Sequence, residues 1–213
     1  MKIDYSNPVL SRVLDLIMRD CWKDMEWDDM EVIADRAGCG CNIGASKCVF
    51  SHKSWDFVLK IPYYGEGASI DYCRKEFNDY EEICARYPQI AHLFAKVCYL
   101  GEFGEMPVYA QEKVPFIFND WTWYNTAETE TLYQNYSDRM RKDVDFDHLA
   151  NRLRCSRMCK EFGELIIETF GMLIFNQFAQ WIFDTDQGDL HSSNVGLTAN
   201  NKPIVFDFSG WND

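Results

Sequence analysis

Two short segments near the carboxyl end of the sequence carry the residues best suited to chemistry. Residues 188–194 read Gly-Asp-Leu-His-Ser-Ser-Asn, and residues 204–210 read Ile-Val-Phe-Asp-Phe-Ser-Gly. Asp207 ends an apolar strand pattern, and a carboxylate beside so much apolar surface is costly unless a cation meets it. Asn194 adds a carbonyl oxygen, and Mg²⁺ prefers oxygen ligands. Asp189 could accept a proton or orient a hydroxyl group.

The elements around these two segments are predicted to bring them together. Residues 195–198 and 203–208 read as the strands of a hairpin with a polar turn between them. Upstream, apolar residues at i, i+3 and i+4 spacing over 160–183 predict one long amphipathic helix. Asp189 and Asn194 also belong to the residue types that favour turns, so a purely loop-forming role is the alternative for both.

A lysine on an earlier strand is the third candidate for the site. Residues 55–61 alternate so that Lys60 shares one face with Val58, while Phe57, Leu59 and Ile61 share the other. Taken alone, Lys60 is better explained as a solubility charge on an edge strand. The other predicted elements are a helix over 7–26, a strand or helix end over 28–37, a strand over 48–50, a helix over 69–87, strands over 92–100 and 106–114, and a helix over 146–158.

In this order, the motifs resemble those of the protein-kinase-like superfamily. Asp-Leu-x-x-x-Asn followed by a hairpin and Asp-Phe resembles the catalytic loop and the metal-binding segment of protein kinases. The sequence motif Gly-Asp-Leu-His-x-x-Asn is similar to the corresponding motif of the aminoglycoside and choline phosphotransferases. The resemblance implies that Asp189 is the catalytic base, Asn194 a metal ligand and Asp207 the principal metal ligand, with ATP and Mg²⁺ as cofactors.

Upstream segments extend the resemblance toward the amino end. Phe57-Val58-Leu59-Lys60 resembles the strand whose lysine grips the α- and β-phosphates, which implies a catalytic and nucleotide-binding role for Lys60. The ion-pair partner implied for this lysine is Glu76, and Glu81 is the alternative because the register of the helix is open. Glu76 stands in a charged stretch, so a solvent-facing role is its other interpretation.

The resemblance also implies the remaining nucleotide contacts. Residues 38–47 resemble the glycine-rich loop over the phosphates, although Ile43 holds the third glycine position of the motif. Residues 110–114 would form the hinge that meets adenine through backbone groups. The nucleotide-binding residues implied in these two segments are Gly38, Gly40, Gly44, Glu112 and Val114.

The fold class expected from these patterns is α+β. The resemblance implies a two-lobe kinase-like fold with a small antiparallel sheet lobe and a truncated, mainly helical C-terminal lobe. We expect a helical extension over 1–27, an N-lobe over 28–113 with a sheet and one helix, and a C-lobe over 114–213 with the catalytic loop. Only six residues follow Asp207, so no activation segment or peptide-binding subdomain is expected, and a second copy or a partner protein would cover that face.

Three functional hypotheses follow from these residues. The first is a minimal phosphotransferase that binds ATP and Mg²⁺ between the lobes and transfers phosphate to a hydroxyl of a small molecule or a protein. The second is a pseudokinase, weak or inactive in catalysis, that acts as a nucleotide-binding or protein-interaction module. The third is a structural protein with a degraded site.

The net charge and the lack of long apolar runs limit the partners and the cellular location expected for this chain. With 21 Lys plus Arg and 34 Asp plus Glu, the net charge is −13, which argues against non-specific binding to nucleic acid or to an anionic membrane. No apolar run approaches the roughly 20 residues of a membrane span, and no signal-peptide stretch opens the chain, so a cytoplasmic protein is expected.

The nine cysteines are expected to be reduced. Those that stand in apolar patterns, and are expected in the core, are Cys48, Cys84 and Cys98. A zinc site is the lesser alternative, because the pairs lack C-x-x-C spacing; its ligands would be Cys39, Cys41, Cys155 and Cys159.

Overall fold

The computed structural model describes residues 1–21, 25–44, 46–62, 71–118, 160–185, 190 and 192–208. The chain has an α+β structure and divides into two compact units. The first unit comprises Met1–Glu81 and Lys96–Lys113, and the second comprises Glu82–Ala95 and Val114–Asp213. Within the described ranges, no helix is both long enough and apolar enough to cross a membrane.

The helices and strands have the following bounds. The α-helices are α1 (Pro8–Asp20), α2 (Trp27–Ala37), α3 (Tyr72–Arg86), α4 (Lys160–Phe170) and α5 (Met172–Thr185), with 3₁₀ turns at Ala91–Leu93 and Ser192–Asn194. The strands are β1 (Gly40–Ile43), β2 (Lys47–Ser51), β3 (Phe57–Pro62), β4 (Val97–Phe103), β5 (Met106–Glu112), β6 (Phe116–Ile117), β7 (Val195–Leu197) and β8 (Pro203–Val205).

The first unit is built on a five-stranded antiparallel sheet in the order β1-β2-β3-β5-β4. Because side chains alternate across a strand, Leu59 and Ile61 join the apolar cluster formed with α1 and α2. Lys60 points to the opposite face, beside its cross-strand neighbours Val49 and Tyr109. The division of β3 into two faces that the alternation predicted is therefore confirmed.

The amino-terminal helices depart from the predicted pattern. Asn7 caps α1, accepting hydrogen bonds from two backbone amides of the first turn at 3.0 and 3.2 Å. This helix ends at Asp20 rather than at residue 26. Trp27–Ala37 form a second helix, where the sequence predicted a strand or a helix end over 28–37. Gly38 ends α2 in the left-handed region, with φ of 80°, a conformation that glycine adopts without steric cost. Both helices contribute buried side chains to the core of the first unit.

The long helix predicted over residues 160–183 is wrong. Gly171, with φ of 85°, separates α4 from α5. Its N–H donates to the carbonyl of Ile167 at 2.9 Å, so it closes the first helix in the left-handed manner common at helix ends. The apolar periodicity continues across the break and hides it in the sequence.

The second unit has a three-stranded antiparallel sheet in the order β6-β7-β8. The predicted hairpin is confirmed, with Val195 opposite Val205. The amide of Ala95 donates to the carbonyl of Val205 at 2.8 Å, which ties the segment after the 3₁₀ turn at 91–93 to β8. That turn is also the reason why β4 begins at residue 97 and not at 92. Phe94 packs in the aromatic core, its ring centroid 5.2 Å from that of Phe208.

None of the cysteines in the described ranges forms a disulfide bond. Cys48 is buried and Cys98 is half-buried, but Cys84 is exposed on α3, so its predicted place in the core is wrong. No group of three or more His, Cys, Asp and Glu side chains in the described part of the chain could hold a metal ion. Cys155 and Cys159 lie outside the described residues.

Candidate functional site

A buried ion pair joins β3 to α3. The ammonium nitrogen of Lys60 lies 2.8 Å from each carboxylate oxygen of Glu76. The Lys60 side chain is only 4% exposed and that of Glu76 is fully buried. The predicted pairing of Lys60 with Glu76 is confirmed, and the alternative partner, Glu81, is exposed on the same helix.

Two further side chains converge on the same carboxylate. The ammonium of Lys47, at the start of β2, lies 3.4 Å from Oε2 of Glu76. The side-chain amide of Gln111, on β5, donates to Oε1 at 3.1 Å. Each carboxylate oxygen thus meets two donors, and three strands of the sheet hold one glutamate of the helix. Desolvated carboxylates are stable only with such dense pairing, and a polar cluster that is fully satisfied holds a single geometry.

The start of α3 is anchored to the same face of the sheet. Asp71 precedes the helix, and its carboxylate accepts from the amide of Arg74 at 2.8 Å, which is an N-cap contact. The hydroxyl of Tyr109, cross-strand neighbour of Lys60, donates to the other oxygen of Asp71 at 3.0 Å. Burial is the main cause that raises the pKa of Tyr109, so the hydroxyl remains a donor. This contact sets the register that brings Glu76 over Lys60.

A buried thiol lies beside the charged cluster. Cys73 stands three residues before Glu76 on α3 and is 1% exposed. Burial raises its pKa far above the ordinary value, and the nearby ammonium groups of Lys47 and Lys60 oppose that shift. Because burial prevails, Cys73 stays a neutral thiol and adds no negative charge to the face that carries the two lysines.

The glycine-bearing segment forms a β-hairpin. Gly40 lies in β1, and Gly44 lies in the turn, where its N–H donates to the carbonyl of Lys47 at 2.9 Å. Gly38 stands before the hairpin and ends α2. The hairpin therefore leads from the turn directly to Lys47, at the Glu76 cluster. A role for Gly38, Gly40 and Gly44 in binding phosphate stays a prediction.

The predicted hinge segment continues the sheet through β5. The amide of Glu112 donates to the carbonyl of Lys96 at 2.9 Å, and that of Lys113 donates to the carbonyl of Asp56 at 3.0 Å. Val114 begins the second segment of the second unit. Contact of Glu112 and Val114 with a nucleotide base stays a prediction.

In the second unit, the two predicted metal ligands lie side by side. The backbone carbonyl of Asn194 accepts from the amides of Phe206 at 3.0 Å and Asp207 at 3.4 Å. These bonds extend the β7–β8 ladder by one residue beyond Val195 and Val205. Asn194 and Asp207 are both half-buried. A carboxylate and an amide oxygen are the hard ligands that suit Mg²⁺, and binding of that metal by Asn194 and Asp207 stays a prediction.

The predicted catalytic base, Asp189, lies outside the described residues, as does His191. Its neighbour Leu190 is fully buried. Each described candidate therefore belongs to one of two local groups: Lys60 and Glu76 with the first unit, Asn194 and Asp207 with the second.

Two members of the first group are not singled out by the sequence patterns. The sequence patterns mark Lys47 only as the last residue of the glycine-bearing segment, and they mark Gln111 only as a member of the predicted hinge. Strand alternation could have found both, because Lys47 shares a face with Val49 and Gln111 shares one with Tyr109.

Comparison of the chain with protein-family models, with curated proteins and with solved structures finds no match.

Proposed function

We propose that this chain is a minimal kinase-like phosphotransferase that binds ATP with Mg²⁺ and transfers phosphate to a hydroxyl acceptor. The observation that carries the proposal is the buried bridge from Lys60 to Glu76, with 2.8 Å to both oxygens. It occurs in a sheet whose elements follow the kinase-like order: a glycine-bearing hairpin, a lysine strand, a helix with its glutamate, then two more strands.

The proposed role of the first unit is to hold the phosphates. Glu76 orients the Lys60 ammonium, which would neutralise charge on the nucleotide phosphates. A lysine is otherwise a flexible point charge, and the carboxylate restrains it. A restrained ammonium would meet a phosphate in one geometry, whereas the packing of the sheet is supplied mainly by its apolar face.

The proposed role of the second unit is to hold the metal and the acceptor. Asp207 and Asn194 would bind Mg²⁺, whose positive charge offsets the charge that develops on the transferred phosphoryl group. Their mutual position is supported by the hydrogen bonds that the backbone carbonyl of Asn194 accepts from Phe206 and Asp207. Asp189 would orient the acceptor hydroxyl and receive its proton, in keeping with its place five residues before Asn194.

Nucleotide binding is tested by thermal unfolding of the native chain with and without ATP and Mg²⁺. At a ligand concentration of about 100 Kd, binding adds about 2.7 kcal/mol, which raises Tm by about 5 to 10 °C for a chain of this size. The Lys60→Met variant is expected to lose most of that rise, and Lys53→Met, which removes an exposed lysine of the same unit, is expected to keep it. An unchanged Tm at millimolar ATP would contradict the proposal.

Phosphate transfer is tested by ADP formation from ATP in the presence of Mg²⁺, with water accepting the phosphoryl group in place of the unidentified hydroxyl compound. Asp189→Ala is expected to abolish turnover while the ATP-dependent rise in Tm persists, because the proposed base acts on the acceptor and not on the nucleotide. Equal turnover in the native chain and in Asp189→Ala would remove Asp189 from this role. A native chain that binds ATP and releases no ADP would favour the nucleotide-binding pseudokinase instead.

A further inference from the structure

The lysine at the start of β2 occupies an unusual position. Lysine side chains ordinarily extend so that the ammonium reaches water, yet the Lys47 side chain is only 9% exposed. It turns instead toward Glu76, the carboxylate that Lys60 already holds. Burial of a second ammonium is costly, so a lysine charge at this position needs strong anionic partners.

The geometry brings the two ammonium groups close together. Both contact the same oxygen of Glu76, Lys60 at 2.8 Å and Lys47 at 3.4 Å, so their nitrogens cannot be farther apart than these two distances combined. Hydrogen bonds of N–H to oxygen usually span about 2.7 to 3.2 Å. Glu76 therefore holds Lys60 tightly and Lys47 more loosely.

Lys47 also follows directly from the hairpin turn. Its carbonyl accepts from the amide of Gly44 at 2.9 Å, which closes the turn where β2 begins. Resting on the proposed function, in which this hairpin lies over the nucleotide phosphates, the Lys47 ammonium is within reach of the same phosphate chain as Lys60.

We propose that Lys47 is a second phosphate-binding residue, and that Lys47 and Lys60 together select ligands with two or more linked phosphates. One ammonium suffices for a single phosphate group. Two adjacent ammonium groups match the spaced charges of a diphosphate or triphosphate, and each contact is a charge-assisted hydrogen bond. The ligand class is therefore a nucleoside diphosphate or triphosphate rather than a monophosphate.

The test measures the Kd of AMP, ADP and ATP by calorimetry, with Mg²⁺ present, for the native chain, Lys47→Met and Lys53→Met. In Lys47→Met, loss of one charge-assisted contact is expected to raise the Kd of ADP and of ATP by about 10- to 100-fold, while the Kd of AMP stays unchanged. Lys53→Met is expected to match the native chain for all three nucleotides. Lys47→Arg, which retains the charge, is expected to keep most of the preference for ADP over AMP. Lys47→Gln, which removes the charge and keeps a polar side chain, is expected to lose it and is the decisive variant if Lys47→Met does not fold.

The outcomes separate this inference from the proposed function. If the native chain binds neither ADP nor ATP, both are overturned. If the native chain binds them and Lys47→Met binds ADP as tightly as Lys53→Met does, only the role of Lys47 is overturned. If Lys47 has only a structural role, its replacement would raise the Kd of AMP and of ADP by the same factor. That result would also overturn the inference.

Discussion

Replacement of Glu76 by glutamine is the sharpest perturbation of the buried cluster. The side chain keeps its shape and loses its charge. Glu76 accepts from Lys60 at both oxygens, from Gln111 at Oε1 and from Lys47 at Oε2. Glutamine offers one oxygen and one NH₂ group, so two of the four contacts would place donor against donor, whichever way the amide is turned.

The size of the effect follows from the burial of the group. Glu76 is 0% exposed, and removal of one partner from a buried ion pair costs about 3 to 5 kcal/mol. For a chain of this length, 1 kcal/mol lowers Tm by about 2 to 4 °C. The Glu76→Gln variant is therefore expected to melt roughly 6 to 20 °C below the native chain.

The assay is urea unfolding followed by tryptophan fluorescence, with Glu81→Gln as the matched control. Glu81 lies on the same helix and is exposed, so its replacement is expected to change the free energy of unfolding by less than about 0.5 kcal/mol. Combination of Glu76→Gln with Lys60→Met is expected to cost less than the two single changes together, because the unpaired ammonium of Lys60 is removed. If Glu76→Gln and Glu81→Gln unfold at the same urea concentration, the buried network contributes far less to stability than its burial and its four contacts imply.

Two further predictions concern the space around two glycines and the exposure of two cysteines. Gly196→Ala would place a methyl group against a backbone carbonyl of β6, and overpacking of this kind costs about 1 to 3 kcal/mol of stability. The control is Gly40→Ala, whose methyl group meets a hydroxyl at 3.3 Å. Equal Tm values for the two variants would contradict the close approach at Gly196. Alkylation mapped by mass spectrometry is expected to modify exposed Cys84 first. Burial raises the pKa of Cys21 to about 12, so its thiolate fraction stays small as pH passes the ordinary thiol pKa of about 8.5. The alkylation rate of Cys21 is therefore expected to stay low across that pH, and a Cys21 rate equal to that of Cys84 would refute this.

Strand alternation predicted which face of β3 carries Lys60, whereas the pairing of Lys60 with Glu76 was implied only by the family resemblance. The period of two along β3 is enough to separate Lys60 from Leu59 and Ile61, because a half-apolar strand must turn one face to the core. It cannot choose between Glu76 and Glu81. That choice depends on where α3 begins, and its start is set by the contact of Asp71 with Tyr109, two residues far apart in sequence.

Tertiary contacts also explain what the sequence patterns do not reveal. Lys47 joins the cluster only through the β2–β3 register, in which Val49 faces Lys60, and the intervening turn does not disclose that register. The break at Gly171 is hidden because apolar spacing continues on both sides of it, and a glycine inside a helix costs only about 1 kcal/mol. Local propensity is too weak to decide such positions without the packing around them.

The most direct test of nucleotide binding at Lys60 is covalent labelling with an acyl-phosphate derivative of ATP. In this reaction the ε-amine of a lysine held against the phosphates attacks the acyl carbon, an amide forms and ATP leaves. We predict that Lys60 is acylated far faster than exposed Lys53, and that excess ATP with Mg²⁺ suppresses the labelling of Lys60 alone. Labelling of Lys60 no faster than that of Lys53, or labelling that excess ATP leaves unchanged, would contradict the claim that this lysine serves a nucleotide.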